Sequence, residues 1–478
     1  MVATVTLIFI IVYLGMILGG LPFLQLDRTG VALLGAIALV GLGAVSTEAA
    51  VQSLHLPTLI LLFAFMVLSA QLRLGGFYAW VTLKLAALPL RPTLLLGALV
   101  LVVGALSAVF SNDVVCLAVA PVLIDACRRR LLDPMPFLLG LACAANVGSA
   151  ATLIGNPQNM LIGATLGLSF GGYVAEVILP VLLGLLATWV ILAWQTQGRW
   201  HARGEVALPQ SPGGAEPVRP SGADVMPPPS AWNLSPPPPA MSVLPPPPAA
   251  HLTPHWLAEG VSPIPSGEAV SPLPSGGDEE SPVFDAWQTT KGLLVAGSLL
   301  GVFLLTSWPR EAAALIGAGV LLTSRRLHSR QMLGLVDWEL LVLFVGLFVV
   351  NHALQDSGLV AQGVAALAAL GVPLEQPGIL FGASVLLSNL VSNVPAVMLL
   401  LPVATDPLAG PILALASTLA GNLLLVGSIA NLIVADAAAR RGLTLDWRTH
   451  ARAGVPVTLV TLAIAAAWLA WRAGGSPV

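Results

Sequence analysis

Charge is what this sequence has least of. Only 9% of its 478 residues are Asp, Glu, Lys or Arg, against roughly 25% in a soluble globular domain. The shortage is deeper outside one segment, because residues 198–288 hold 3 of the 20 basic and 9 of the 23 acidic residues. A chain so poor in charge cannot cover its surface in water, which excludes a water-soluble enzyme as the whole molecule. There is no basic patch, and a net charge of −3 offers nothing to a nucleic acid. Cysteine is rare too. Cys116, Cys127 and Cys143 sit in apolar segments without paired or metal-like spacing, and read as small buried apolar residues. The N-terminal segment lacks the basic start and the small-residue cleavage site of a secretory signal, so residues 2–19 read as a first span. No His-Glu-x-x-His pattern occurs. An intramembrane enzyme is therefore the remotest reading.

What the chain has instead is apolar length: 56% of it is hydrophobic and its mean hydropathy is +0.89. A bilayer core of about 30 Å needs about 20 helical residues. Apolar runs near that length fall at 2–19, 29–46, 57–72, 93–110, 137–152 and 173–195, and again at 290–306, 310–325, 338–354, 377–391, 411–425 and 454–472. Shorter pieces follow some of them, at 114–126, 160–169, 395–404 and 430–439. Between the two sets, residues 204–282 hold 21 of the 39 prolines. Proline runs favour extended backbone and bury no core. The expected organisation is a first transmembrane repeat over 1–197, a disordered Pro-rich linker over 198–288 and a second transmembrane repeat over 289–478.

The two halves echo one another. Ser111-Asn112-Asp113 precedes Pro121, and Ser392-Asn393-Val394 precedes Pro402, at a common offset of 281. Leu61-Leu62-Phe63 maps onto Val342-Leu343-Phe344 at the same offset. Gly155-Asn156-Pro157-Gln158-Asn159 faces Gly427-Ser428-Ile429-Ala430-Asn431 at an offset of 272. Such ordered self-similarity marks a duplicated unit. The Ser-Asn pairs interrupt apolar stretches, and irregular backbone survives in a bilayer only where protein or a water-filled cavity satisfies it. Segments 93–126 and 377–404 therefore read as re-entrant hairpins, and the Gly155 and Gly427 stretches as breaks within helices at the midplane. Five spans plus one hairpin per half is an odd count, so the second half must be inverted. With the N-terminus outside, 18 of the 20 Lys and Arg fall on the cytoplasmic side, Arg310 and Arg472 being the exceptions, as the positive-inside rule demands. The same count makes the linker cytoplasmic. The expected fold is an all-α integral membrane protein of two inverted-topology repeats.

Inverted repeats with hairpins and broken helices are the parts of a secondary transporter. A helix N-terminus holds an anion or polar oxygen, a C-terminus offers carbonyls to a cation, and Asn and Ser add neutral donors and acceptors. The candidate substrate- and ion-binding residues are Ser111, Asn112, Asp113, Gly155, Asn156, Asn159, Ser392, Asn393, Gly427, Ser428 and Asn431. Asp113 stands apart, because a membrane carboxylate is costly and its counterpart Val394 carries no charge. It binds a cation, carries a coupling proton or sits protonated as a donor; the sequence leaves all three open, and leaves open whether a metal ion binds at all. Asp436 reads as a cytoplasmic partner of Arg440, and Glu176 and His352 as interfacial.

These motifs resemble the ion-transporter superfamily of citrate and dicarboxylate carriers, arsenite permeases and sodium/proton antiporters. Phe110-Ser111-Asn112-Asp113, Asn393 with Pro395, and Gly427-Ser428 with Asn431 resemble the arsenite-permease branch. Gly155-Asn156-Pro157-Gln158-Asn159 is closer to uncharacterised anion permeases and the citrate-transporter-like group. In sodium-coupled dicarboxylate carriers each tip reads Ser-Asn-Thr, and here Asp113 and Val394 depart from it. The resemblance implies a homodimer with an elevator-like moving part. The expected function is ion-coupled carriage of a small anion or oxyacid across the inner (plasma) membrane, with a proton or sodium ion as the coupling species and no other cofactor. Arsenite or antimonite efflux and sodium/proton antiport are the alternatives.

Overall fold

Helices begin and end where the sequence breaks its apolar runs. The computed structural model describes residues 1–21, 24–201 and 284–475. Residues 202–283, nearly all of the expected Pro-rich linker, lie outside the described residues.

Helix α1 (Val2–Leu18) ends at Gly19 in the left-handed conformation. A two-residue antiparallel ribbon, β1 (Gly20–Leu21) with β2 (Leu26–Asp27), leads into α2 (Arg28–Gly41). Asp27 caps α2 by accepting from the Gly30 amide at 2.8 Å, one of the orphan donors of a helix start. There follow α3 (Thr47–Gln52), α4 (Leu56–Leu74), α5 (Phe77–Ala86), α6 (Pro92–Val109), α7 (Asn112–Arg129), α8 (Pro134–Ser149), α9 (Pro157–Thr165) and α10 (Phe170–Gln195). The later series is α11 (Ala286–Leu305), α12 (Arg310–Leu322), α13 (Ser329–Leu333), α14 (Trp338–Asp356), α15 (Leu359–Ala369), α16 (Pro377–Val391), α17 (Asn393–Leu400), α18 (Ala409–Ala420), α19 (Ile429–Ala439) and α20 (Trp447–Gly475). Pro92, Pro134, Pro157 and Pro377 occupy first turns, where the missing N–H costs nothing.

Among the described residues, α4, α6, α10, α11, α14 and α20 are long and apolar enough to cross a membrane. The short apolar pieces of the sequence are α7, α9, α17 and α19. Of the helices that the apolar runs do not announce, α5 and α15 are the longest, at ten and eleven residues.

Packing repeats across the halves. Helix α6 lies on α8, and α16 on α18; α4 lies on α12, and α14 on α2. The α6–α8 contact is close enough that any Cβ at Gly148 would meet the backbone of Gly104. Large apolar side chains such as Leu7, Ile10 and Leu14 on α1, and Leu182, Leu186 and Val190 on α10, are exposed. In water such surface would be a liability; facing lipid tails it is not. The polar side chains go the other way. Asn146, Asn156, Asn159, Asn422 and Asn431 are buried, and all five lie beside the breaks between α8 and α9 and between α18 and α19.

Candidate functional site

Each break is held by an asparagine that reaches back to the carbonyls it leaves free. Asn156 caps α9 by accepting from the Asn159 amide at 2.8 Å, with Pro157 at the first helical position. Asn159 Nδ2 donates to the carbonyls of Ser149 (3.3 Å) and Thr152 (3.0 Å). Asn431 Nδ2 donates to the carbonyls of Gly421 (2.8 Å) and Leu424 (3.3 Å). All three positions differ by 272, the offset read from the sequence. The carbonyls at the end of α8 and of α18 would otherwise be unsatisfied, and an asparagine from the following helix supplies the donor in both halves.

The two breaks then exchange partners. Asn156 Nδ2 donates to Thr418 Oγ1 at 3.2 Å, and its counterpart Ser428 donates from Oγ to Asn146 Oδ1 at 2.9 Å. Thr418 stands 272 residues after Asn146. Likewise Asn146 Nδ2 donates to Asn431 Oδ1 (3.1 Å), and Thr418 Oγ1 to Asn159 Oδ1 (3.5 Å). Reciprocal exchange of this kind is how two-fold related units meet. Asn146 is the hub. It also accepts from Asn112 Nδ2 at 3.0 Å and donates to Asn422 Oδ1 at 2.8 Å. Gln158 adds a bond to Thr418 Oγ1 at 3.3 Å.

The Ser-Asn turns differ in how far they join this centre. Phe110 is extended, and α7 starts at Asn112 without a side-chain cap from Ser111. The Asn112 amide donates to the Gly155 carbonyl at 3.3 Å, so this turn and its break touch. Asn112 Oδ1 is buried without a partner, as is the Ser107 hydroxyl one turn earlier. In the second half, Asn393 Oδ1 and the Ser388 hydroxyl are buried without partners. Both pairs are related by the offset of 281. Asn389 Oδ1, near Gly427, is another such oxygen. Ser392 adopts φ 79°, a conformation most residues avoid and one that clusters at functional sites, whereas Ser111 has φ −51°. Asp113 is half-buried and has no hydrogen-bond or ion-pair partner among the described residues.

Of the sequence-derived candidates, Asn112, Gly155, Asn156, Asn159, Ser428 and Asn431 are brought together. Ser111, Asp113, Ser392, Asn393 and Gly427 flank them without side-chain bonds to them. Asn146, Ser149, Gln158, Thr418 and Asn422 belong to the centre and are not among the candidates. The available signal for them was a polar residue inside an apolar run. Asp436 pairs with Arg440 at 2.8 Å, both exposed, and His352 with Asp356 at 3.2 Å. Glu176 is bound by Arg472. Among the described residues no group of three His, Cys, Asp or Glu is gathered to hold a metal. The centre itself carries no Lys, Arg, Asp or Glu. It can hold a polar solute through amides and hydroxyls, and its unpartnered oxygens can receive a cation or a donor.

Apolar helices, some long enough to cross a bilayer, enclosing a neutral polar centre at paired helix breaks fit a membrane transporter. The citrate transporter family matches residues 6–420, and the chain belongs to that family. It is a multi-pass membrane transporter. The silicon efflux transporter LSI3 of Oryza sativa subsp. japonica is 33% identical over 469 residues, covering 93% of this chain and 92% of its own. The uncharacterized transporter Rv2685 of Mycobacterium tuberculosis is 29% identical, covering 93% and 94%. A putative transporter, arsB, of Dictyostelium discoideum is 29% identical over 169 residues, covering 35% of this chain and 30% of its own.

Proposed function

We propose that the protein is a secondary-active carrier of a small anion or oxyacid, coupled to a proton or sodium ion at the Ser-Asn turns. The observation that carries this reading is the set of four unpartnered oxygens, Ser107 Oγ, Asn112 Oδ1, Ser388 Oγ and Asn393 Oδ1. Buried oxygens without donors cost about 1–3 kcal/mol each, and a bound cation relieves that cost. They recur in both halves at one offset, beside a centre whose bonds cross reciprocally. That reciprocity supports two inverted repeats, with α6–α7 and α16–α17 as re-entrant hairpins from opposite sides. The cytoplasmic linker, the outside N-terminus, the inner-membrane location and a homodimer complete the reading.

Asp113 carries the coupling charge. Ionised, it repels an arriving anion; a bound proton or sodium ion cancels the charge and lets the solute follow. Proteoliposomes given citrate, silicic acid or arsenite, with a pH or sodium gradient imposed one at a time, test this. One solute should accumulate under one gradient. Asp113→Asn keeps the shape but cannot titrate, so it should abolish accumulation while leaving exchange. Accumulation as steep as the parent's would make Asp113 a structural residue. Flux that ignores every gradient would mean a channel.

A second reading is efflux of a neutral hydroxylated acid. The uncharged centre and the 33% identity to a silicon efflux transporter favour it. Outward-directed silicic acid or arsenite flux, with citrate untransported, would select it.

A further inference from the structure

His450 is a titratable group within this centre that neither coupling nor the candidate set uses. It stands in the first turn of α20, fully buried. Its Nε2 lies 3.0 Å from the Asn422 carbonyl oxygen, and its Nδ1 is buried without a partner. The approach is built in. Any Cβ at Gly454, one turn on, would meet that same Asn422 carbonyl, so α20 can bring the ring there only over a glycine. Asn422 in turn donates to the Cys143 carbonyl at 3.3 Å and accepts from Asn146, the hub.

The first half has the same contact made by a different residue. Tyr173, fourth residue of α10 as His450 is of α20, donates its hydroxyl to the Ala150 carbonyl at 2.8 Å. Ala150 and Asn422 differ by 272, the offset of the two breaks. One half therefore steadies its break with a phenol that stays neutral across physiological pH. The other does so with an imidazole that need not.

We propose that His450 is a positioning residue that ties the polar centre to protons: neutral, it holds Asn422 and through it Asn146; protonated, it leaves its slot and loosens the second break. The geometry dictates the direction. The neutral ring donates from Nε2 and needs nothing of Nδ1 beyond space. A second proton would add a buried charge and a donor facing no acceptor, which burial does not tolerate. The groups around it do not change this. Just before α20, Asp446 accepts from the Thr449 amide, and on α20 itself Arg448 and Arg452 are cations. Cys143 on α8, and Tyr173 and Glu176 on α10, are the titratable groups of those packed helices; Glu176 is already held by Arg472. Helix α18 contributes none. Asp446 is the acid toward which a charged ring can swing.

The test needs no transported solute. Cys143 lies beside Asn422 and is buried. In the full chain with Cys116→Ala and Cys127→Ala, the rate at which methyl methanethiosulfonate modifies Cys143 reports opening of the centre. The rate is measured in detergent from about pH 8 to about pH 5.5, the range in which an imidazole titrates. Dividing by the rate in His450→Gln, which donates to the carbonyl but does not titrate, removes the thiol's own pH dependence. The ratio should rise several-fold toward acid. His450→Tyr, copying the first half, should behave as the Gln form does and serves if Gln does not fold. A ratio that stays flat would overturn the proposal, as would non-titrating variants as acid-sensitive as the parent. A purely structural role would shift every pH alike.

Discussion

Asn146 is the residue whose loss should do most damage, and the size of the damage follows from its bonds. It accepts from Asn112 and Ser428 and donates to Asn422 and Asn431, at 2.8–3.1 Å. Asn146→Leu fills the space with apolar atoms and removes all four. Interhelical hydrogen bonds in membrane proteins average about 0.6 kcal/mol and reach about 1.7. Four of them give about 2–4 kcal/mol, the upper end applying because the partners are fully enclosed. Thr418, in the equivalent position, makes three longer bonds of 3.2–3.5 Å, to Asn156, Gln158 and Asn159. Thr418→Val should therefore cost less, about 1–2 kcal/mol on the same scale. Reversible unfolding in mixed micelles of mild detergent and dodecyl sulfate measures both. If Asn146→Leu lay within about 0.5 kcal/mol of the parent, less than one average bond, the centre would not hold the halves together. A larger loss in Thr418→Val would equally refute the ranking.

Other outcomes follow from the same geometry. Asn112→Ala and Asn393→Ala should each weaken solute binding by roughly 5- to 150-fold, the worth of a buried bond at about 1–3 kcal/mol, while membrane insertion is unchanged; equilibrium binding to the transported solute checks it, and normal affinity in both would remove the turns from the site. Ser392→Gly should stabilise the protein by about 1 kcal/mol, because glycine adopts φ 79° freely where serine is strained. Ser111→Gly should destabilise it by about 0.5–1 kcal/mol, since φ −51° needs no glycine; like signs in the two would discount the strain. Replacing residues 210–280 with a shorter Gly/Ser chain should leave transport largely intact, since their composition buries little apolar surface; complete loss of flux with normal insertion would give the segment a role.

The sequence was most legible where a polar residue interrupts an apolar run. Ser111-Asn112, Ser392-Asn393, Asn156 and Ser428 stand at helix breaks because their side chains or neighbours cannot continue the ladder, and a reader of the chain sees that. Asn146, Thr418, Asn422 and His450 were not legible for the opposite reason. The first two lie inside helices that continue through them, the third just beyond a helix end, and their key partners are more than 250 residues away or across a break. Helices α5 and α15 escaped because ten or eleven apolar residues are too few to span a bilayer. The offset of 272 pairs Asn146 with Thr418, but an amide and a hydroxyl do not look alike in sequence. Only their reciprocal bonds reveal that they occupy one position twice.

That duplication has a consequence for direction. Two identical halves around one centre would treat the two sides of a membrane alike. The chemical differences between equivalent positions are therefore where sidedness must reside. Two of them involve an ionisable group. Asp113 stands opposite Val394, and His450 opposite Tyr173, so each pair sets a carboxyl or imidazole against a side chain that stays neutral. Ser392 is strained where Ser111 is not, so the two turns also differ in how much energy their opening releases. The scaffold of reciprocal amides is nearly symmetric; the proton- and cation-responsive groups attached to it are not. In the proposed ion-coupled carrier, the symmetric part would supply two equivalent states and the asymmetric part would make the ion choose between them.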